Sequence, residues 1–149
     1  MEIKATSLNA KLPLKLVGGI YGIYSSDLFT IPTSSSALIT TDLVLKLNAG
    51  CHNLGMIVPT KELTQSGIHV QSSMLLPGEE VDLKISVYNS KTSENFVIHK
   101  YEKVAHLVIF QTHEVDVKVC KYGSDTFKCI GLHSGDDTPS VGMKPSPNV

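Results

Sequence analysis

The amino-acid sequence predicts an all-β fold of the jelly-roll kind, because three kinds of segment recur along it. Residues 80–88 alternate between apolar and polar side chains, the pattern of a strand with one buried face. Short apolar runs such as 104–110 are separated by turns rich in Ser, Thr, Asn, Gly or Asp. Only Lys61–Gln65, shortly after Pro59, favours a helix, and it is a single turn long. Several short strands at this spacing are typical of a sandwich, barrel or jelly roll.

The predicted elements follow one another along the chain. Residues 37–47 mix β-branched side chains with period-two alternation in their second half, and Asn48-Ala49-Gly50 ends that strand. In 80–88 the four side chains of Val81, Leu83, Ile85 and Val87 share one face. Further strands are predicted at 96–98, 104–110 and 113–119, and turns at 33–36, 89–95 and 122–125.

The domain organisation follows from length and from a change in composition. A chain of 149 residues fits one domain with its own core. From Ser134 onward Ser, Gly, Asp, Pro and Asn dominate and apolar residues become sparse. We therefore predict a β domain at 1–133 and a flexible C-terminal tail at 134–149, which is either mobile or ordered only on a neighbouring chain.

Charge and hydropathy exclude several classes of function. The formal net charge is −1, so nucleic acid is not an expected partner. No apolar run approaches the roughly 18 residues of a membrane-spanning helix, and residues 1–6 lack the apolar stretch of a signal peptide. The sequence therefore predicts an intracellular protein without a membrane partner.

Two residue types bear on chemistry. All 13 basic residues are lysines, so the chain lacks the planar guanidinium that grips phosphate at two points. Cys51, Cys120 and Cys129 are odd in number and match no close metal-binding pattern, which favours a reduced compartment with buried or inert thiols. A nucleophilic pair of Cys51 with a histidine is disfavoured.

The histidines and paired carboxylates do not predict a metal site. The six histidines are scattered, and no pair has ligand spacing supported by nearby carboxylates or cysteines. The acidic pairs 79–80 and 136–137 fit solvated charge beside a turn and in the tail. The histidines are His52, His69, His99, His106, His113 and His133.

Five groups of residues, in order and with nearly gapless spacing, resemble the trimeric dUTPase family over roughly 14–110. Lys100-Tyr101-Glu102-Lys103-Val104-Ala105-His106-Leu107-Val108 is similar to the fourth family motif, Lys-Gly-Asp-Arg-Ile-Ala-Gln-Leu-Ile. The other matching segments are Ile23-Tyr24-Ser25 with Thr30-Ile31-Pro32, Thr40-Thr41-Asp42 with Gly50-Cys51, Val58-Pro59, and Gly78-Glu79 with Ile85-Ser86-Val87-Tyr88-Asn89. The resemblance implies a distorted jelly roll, also called a β-clip, that assembles into a homotrimer with its pockets at the subunit borders.

The resemblance also implies a degenerate catalytic site. The family's first motif carries an Asp that helps to hold the Mg²⁺–triphosphate, and Gly22 stands there. The phosphate-binding Arg-Ser-Gly of the second motif is replaced by Thr60, Lys61 and Glu62, and the carboxylate of Glu62 repels a polyanion. Gly142 and Met143 are the nearest match to the glycine-rich fifth motif, without its aromatic residue.

The third and fourth motifs depart from the family pattern as well. Ser73 takes the place of the Asp that acts as base for the attacking water, and Leu76 that of the Tyr that excludes ribose. His106 replaces the Gln of the fourth motif. The apolar hairpin 72–77 either fills a collapsed pocket or forms an exposed patch; we expect Leu76 to be buried. Met74 and Leu75 are the candidate interaction residues, with Leu75 exposed.

These observations predict a non-enzymatic interaction or structural protein derived from a dUTPase. Its expected partners are two further copies of itself and an unidentified host or viral protein. A viral source, with the protein in the cytoplasm or nucleus of a host cell, is the leading hypothesis by analogy. Two alternatives remain: a divergent enzyme that converts dUTP to dUMP and pyrophosphate, and a nucleotide-binding sensor without chemistry. No cofactor is predicted, except Mg²⁺ if residual dUTPase activity exists.

Overall fold

The computed structural model describes residues 1–121 and 128–132 of the chain, and the side chains of residues 1–117. It divides into two units, Met1–Thr112 and His113–Val149. Among the described residues there are thirteen strands and one short helix. The elements are β1 (Glu2–Ala5), β2 (Leu14–Val17), β3 (Ile20–Tyr24), β4 (Phe29–Ile31), β5 (Ser36–Lys46), β6 (Asn53–Val58), α1 (Lys61–Gln65), β7 (Ile68–Val70), β8 (Ser73–Leu75), β9 (Glu80–Asn89), β10 (Phe96–Ile98), β11 (Lys103–Gln111), β12 (Val117–Lys121) and β13 (Lys128–Leu132).

The first large sheet of the Met1–Thr112 unit is antiparallel, with strand order β1-β5-β9-β7. Its two long central strands confirm the predicted alternation, because every second residue is buried along most of each. Leu83, Ile85 and Val87 of β9 lie inside, whereas Asp82 and Lys84 face outward and form an ion pair at 2.9 Å. The hydrophobic period of two therefore determines which face of this sheet meets the core.

The second large sheet has strand order β2-β3-β11-β6-β8 and is also antiparallel. Its inner face carries fully buried side chains on its three central strands, namely Ile23, Leu107 and Ile57. These residues belong to the same hydrophobic cluster as Ile39 and Ile85 of the first sheet. The two sheets of this unit thus share one core, as the prediction of an all-β jelly roll requires.

The single helix of the described chain begins where the sequence predicts. Thr60 caps α1, since its hydroxyl oxygen accepts a hydrogen bond from the backbone N–H of Leu63 at 3.3 Å. Leu63 is buried in the core cluster. The helix ends at Gln65 with Ser66 as its C-cap, and Gly67, whose φ is 78°, then turns the chain into β7.

Three predictions concern the C-terminal end of the chain. The strand predicted at 113–119 is wrong in its first half, because the strand begins at Val117 and 76% of the Val115 side chain is exposed. No strand of the described chain pairs with residues 113–115, so their alternation has no sheet to support it. The turn predicted at 122–125 and the domain boundary at 133/134 lie outside the described residues. Within the described part of the chain, no helix is long and apolar enough to cross a membrane.

Candidate functional site

A row of three residues on neighbouring strands forms the centre of the candidate site. In the second sheet, His106 of β11 lies opposite Gly22 of β3 on one side and Val58 of β6 on the other. Directly opposed residues on antiparallel strands share a face of the sheet. Since Ile57 and Leu107 point into the core, His106 and Val58 point the other way, away from it. The sheet thus brings Gly22 and His106 together on its outer face.

The space beside Gly22 is occupied by the phenol of Tyr24, two residues further along the same strand. A Cβ atom built on Gly22 would lie 2.8 Å from the Tyr24 hydroxyl oxygen and 3.4 Å from Cδ of Lys103. Tyr24 is buried, and the ammonium of Lys11 lies 3.9 Å from the centroid of its ring. A side chain at position 22 therefore requires the Tyr24 ring to move.

His106 is a half-buried base with an unused hydrogen-bonding atom. Its Nε2 atom is buried and makes no hydrogen bond within the described chain. Burial lowers the pKa of the imidazole from its ordinary 6.5, Lys103 lowers it further, and Glu62 acts in the opposite direction. The ring is therefore neutral at pH 7, and its Nε2 atom can donate or accept one hydrogen bond, which an incoming group has to supply.

The beginning of α1 adds charge to the same place. Glu62 lies in its first turn, and a hydrogen bond to its own backbone N–H, followed by the nearby Lys103, lowers the pKa of its carboxyl. The carboxylate is therefore ionised at neutral pH, with Lys103, His106 and Lys61 close enough to affect it. Thr60 is buried and its hydroxyl is engaged in capping the helix, so it does not point toward a ligand.

The segment 72–77 corrects two predictions. It is not a hairpin, because β8 pairs with β6 whereas the next strand, β9, belongs to the other sheet. Leu75 was expected to be exposed and Leu76 to be buried, but only 4% of Leu75 and as much as 44% of Leu76 is exposed. Leu75 packs over Gly55 of β6, whose added Cβ would lie 3.1 Å from the Leu75 Cβ and Cδ1 atoms. Leu75 is therefore a core residue and not an interaction residue. Met74, with 52% of its side chain exposed, remains an interaction candidate.

The positions that the resemblance assigns to the family's catalytic motifs fall into two groups within one chain. Gly22, Lys61 and His106 belong to the outer-face cluster, together with Glu62 and Lys103. Ser73 lies on the edge strand β8, three strand spacings from β3, or about 14 Å. One chain alone therefore does not bring Ser73 next to Gly22.

Sequence reasoning missed the contributions of Tyr24 and Lys103 to this cluster. A signal for Tyr24 was present, because residues two apart on a strand share a face. Nothing in the sequence shows that its ring lies over Gly22. The pairing of Tyr24 with Lys103 depends on the register of β3 and β11, which contains a bulge between Lys103 and Ala105.

The residues at this site do not fit a magnesium ion. Mg²⁺ prefers carboxylate oxygens in octahedral geometry, and Gly22 contributes no side-chain oxygen. The carboxylate in the cluster is that of Glu62, which stands among cationic neighbours. In the part of the chain that the structure describes, no group of three His, Cys, Asp or Glu residues could hold a metal ion. The donor set therefore differs from the one that the resemblance implies.

Comparison with known sequences links the chain to one family. A family model described as dUTPase matches residues 17–127. The deoxyuridine 5'-triphosphate nucleotidohydrolase of Candida albicans is 25% identical over 122 residues, covering 79% of this chain and 74% of that protein. The enzyme of the same name from Saccharomyces cerevisiae is 26% identical over 112 residues, covering 73% of this chain and 74% of that protein.

Solved structures share the fold. A mutant dUTPase of Staphylococcus bacteriophage 80alpha with dUpNHpp superposes with a TM-score of 0.70 at 17% identity, covering 83% of this chain and 97% of that one. A mutant dUTPase from phage phi11 of S. aureus, solved with a structural Mg(II) ion, has a TM-score of 0.70 at 16% identity, covering 79% of this chain and 94% of that one. At such identity the likeness concerns the fold.

Proposed function

The chain belongs to the dUTPase family, and from that premise we propose that it no longer hydrolyses dUTP. It keeps the family's β scaffold as an interaction or structural protein. The observation that carries the proposal is the Tyr24 phenol lying where a side chain on Gly22 would begin. The family's Asp at this position needs that space. Replacement of the Asp by Gly22 therefore changes the shape of the site as well as its charge.

Two further observations support the same proposal, one on Ser73 and one on the charges around Glu62. Ser73 stands in place of the general base, and a hydroxyl does not deprotonate water at neutral pH. Loss of a positioned base costs about 10²- to 10⁴-fold in rate. The ionised Glu62 adds repulsion toward a triphosphate, and the cations near it are lysines, which lack the two-point grip of arginine.

We also propose that the protein forms the homotrimer that characterises the family. The outer face of the second sheet supports this, because it carries apolar side chains that are only half-buried in the single chain. Val108 lies opposite Ile20 on one side and Met56 on the other. Such a face is stabilised when a second copy covers it.

The second partner in this proposal is a host or viral protein in the cytoplasm or nucleus. Its support is analogy with proteins that kept an enzyme scaffold without its chemistry. The exposed side chain of Met74 is the candidate contact. A flexible thioether suits such a surface, because it adapts its shape to a partner.

A second candidate function, nucleotide binding without hydrolysis, is favoured by one observation. The buried Nε2 atom of His106 lacks a hydrogen-bond partner in the described chain, and Lys103 supplies positive charge next to it. A ligand that offers a hydrogen-bonding group and a negative charge would suit the place between His106 and Lys103. Glu62 weakens that attraction, so the interaction function remains the first proposal.

The deciding experiment measures turnover and binding on the same protein. Pyrophosphate release from dUTP with Mg²⁺ is followed beside the S. cerevisiae relative as the positive control. We expect no release above background; a rate of about 1–10³ s⁻¹ contradicts the proposal. Such a rate favours the divergent enzyme.

Binding is measured as the change in melting temperature with dUTP or dUpNHpp. Ligand at a hundred times its dissociation constant stabilises the folded state by about 2.7 kcal/mol, so binding is readily detected. The interaction proposal predicts no shift. A shift that Lys103→Ala abolishes, but Lys84→Ala does not, supports the nucleotide sensor instead. Lys84 is a matched control because it pairs with Asp82 on the other sheet.

A further inference from the structure

The β12–β13 hairpin of the second unit carries two of the three cysteines at one register position. Cys120 of β12 and Cys129 of β13 are direct Cα partners in this antiparallel pair. Val119 with Ile130 precedes them, and Lys121 with Lys128 follows. The third cysteine, Cys51, is exposed in the other unit and carries a free thiol. The sequence alone had suggested only inert thiols.

This register suits a disulfide. Directly opposed residues in an antiparallel pair have Cα atoms about 4.5 or 5.5 Å apart, depending on whether the pair is hydrogen-bonded. Disulfides form between residues whose Cα atoms are about 4.4–6.8 Å apart. Both kinds of pair fall within that range, so bond formation leaves the strand register unchanged.

We propose that Cys120 and Cys129 form a reversible cross-strand disulfide, which makes the hairpin a redox-sensitive element. One thiolate attacks a low-molecular-weight disulfide, releases its first thiol and forms a mixed disulfide. The second thiolate then attacks the protein sulfur of the mixed disulfide and releases the second thiol. The two cysteines lose two electrons and two protons, and the small disulfide becomes two thiols.

The sequence around the pair favours this exchange. Cys120 precedes Lys121 and Cys129 follows Lys128, so each cysteine has a lysine as its chain neighbour. Positive charge near a thiol favours the thiolate, which is the attacking species. In a reducing compartment such bonds are transient and report on redox state. The bond closes a short loop and therefore stabilises the hairpin locally.

The test uses the full chain with Cys51→Ser, which removes the unrelated thiol. The protein is equilibrated with mixtures of reduced and oxidised glutathione, and the remaining thiols are alkylated and counted by mass. We expect both thiols to disappear together. Trypsin cleaves after Lys118, Lys121 and Lys128, so the disulfide links peptide 119–121 to the peptide that begins at Cys129. In the unsubstituted chain, titratable thiols fall from three to one.

A matched control moves one thiol by a single residue. Val119→Cys combined with Cys120→Val moves the cysteine to the register position opposite Ile130, so that it is no longer the direct partner of Cys129. This variant should accumulate glutathione adducts instead of an internal bond. Three outcomes overturn the proposal. Both thiols remain free to be alkylated across the whole range of mixtures, the disulfide links two chains, or the shifted variant forms an internal disulfide as readily as the original pair. Slower amide exchange in residues 117–121 of the oxidised protein gives an independent readout.

Discussion

At the scale of single residues, the proposed loss of the catalytic site rests on the space beside Gly22. Under this proposal the glycine stands in place of an acidic residue, and the neighbouring phenol of Tyr24 takes up the space that such a side chain needs. Lys11 over the ring adds an attraction to the phenol. An acidic residue introduced at position 22 alone is then expected to be insufficient to restore a pocket.

This contact predicts a strong coupling between positions 22 and 24. Gly22→Ala should destabilise the protein by about 1–3 kcal/mol, because the new Cβ meets the Tyr24 hydroxyl at 2.8 Å. In a Tyr24→Leu background the same change should be neutral or slightly stabilising, since it then only restricts the unfolded chain. Denaturant unfolding of the four proteins at equal concentration measures the coupling. Additive effects of the two substitutions would show that the ring moves away without cost.

At the scale of elements, the pairing of β8 shows why the inward and outward residues of the segment 72–77 were assigned in reverse. The prediction placed Leu76 inside, at the position of the family's Tyr. The register of β8 against β6 places Leu75 opposite Gly55, where the absence of a side chain leaves room for a leucine. Leu76 lies beyond the end of the strand, where the alternation ends.

The corrected assignment gives a prediction with an internal control. Leu75→Ser should destabilise the chain by about 2–5 kcal/mol, because it leaves a cavity and a hydroxyl without a partner. Leu76→Ser should change stability by no more than about 0.5 kcal/mol. Denaturant melts of the two single variants test the difference. Equal losses would contradict the observed burial.

At the scale of the whole molecule, the two faces of β11 differ in burial: one lies in the core and the other is half-buried. Leu107 and Val104 are fully buried inside one chain, so substituting them reports on folding and not on assembly. Val108 is half-buried on the outer face, between Ile20 and Met56. That face is the proposed contact with a second copy.

Charge substitutions on neighbouring residues should therefore separate folding from assembly. Leu107→Asp should abolish folding, because a buried carboxylate without a partner is costly. Val108→Asp should leave a folded chain with native circular dichroism but convert the trimer to a monomer. Sedimentation velocity at micromolar concentration measures the outcome. A trimeric Val108→Asp protein would place the interface on another face, and a monomeric unsubstituted protein would contradict the proposed trimer.

Much of the fold could be predicted from local patterns. The alternation in β9 identified its buried residues, and the short run at Lys61–Gln65 formed the one helix among the described residues. The same reasoning failed for residues 113–115, where alternation is present but no strand of the described chain pairs with it. An alternation with a period of two indicates which residues can share a face. A sheet forms only where a partner strand is available.

For the candidate site, the sequence by itself determined which groups are absent: it has no arginine, and it carries Gly22 and Ser73 where the resemblance implies an Asp. The identity of each side chain, and so the chemistry it can offer, is read directly from the sequence. Only the tertiary structure decided that Tyr24 occupies the space at Gly22, that Leu75 and not Leu76 is buried, and that Cys120 stands opposite Cys129 in the strand register. These facts depend on strand register and on packing between strands, which are set by contacts among residues distant in sequence.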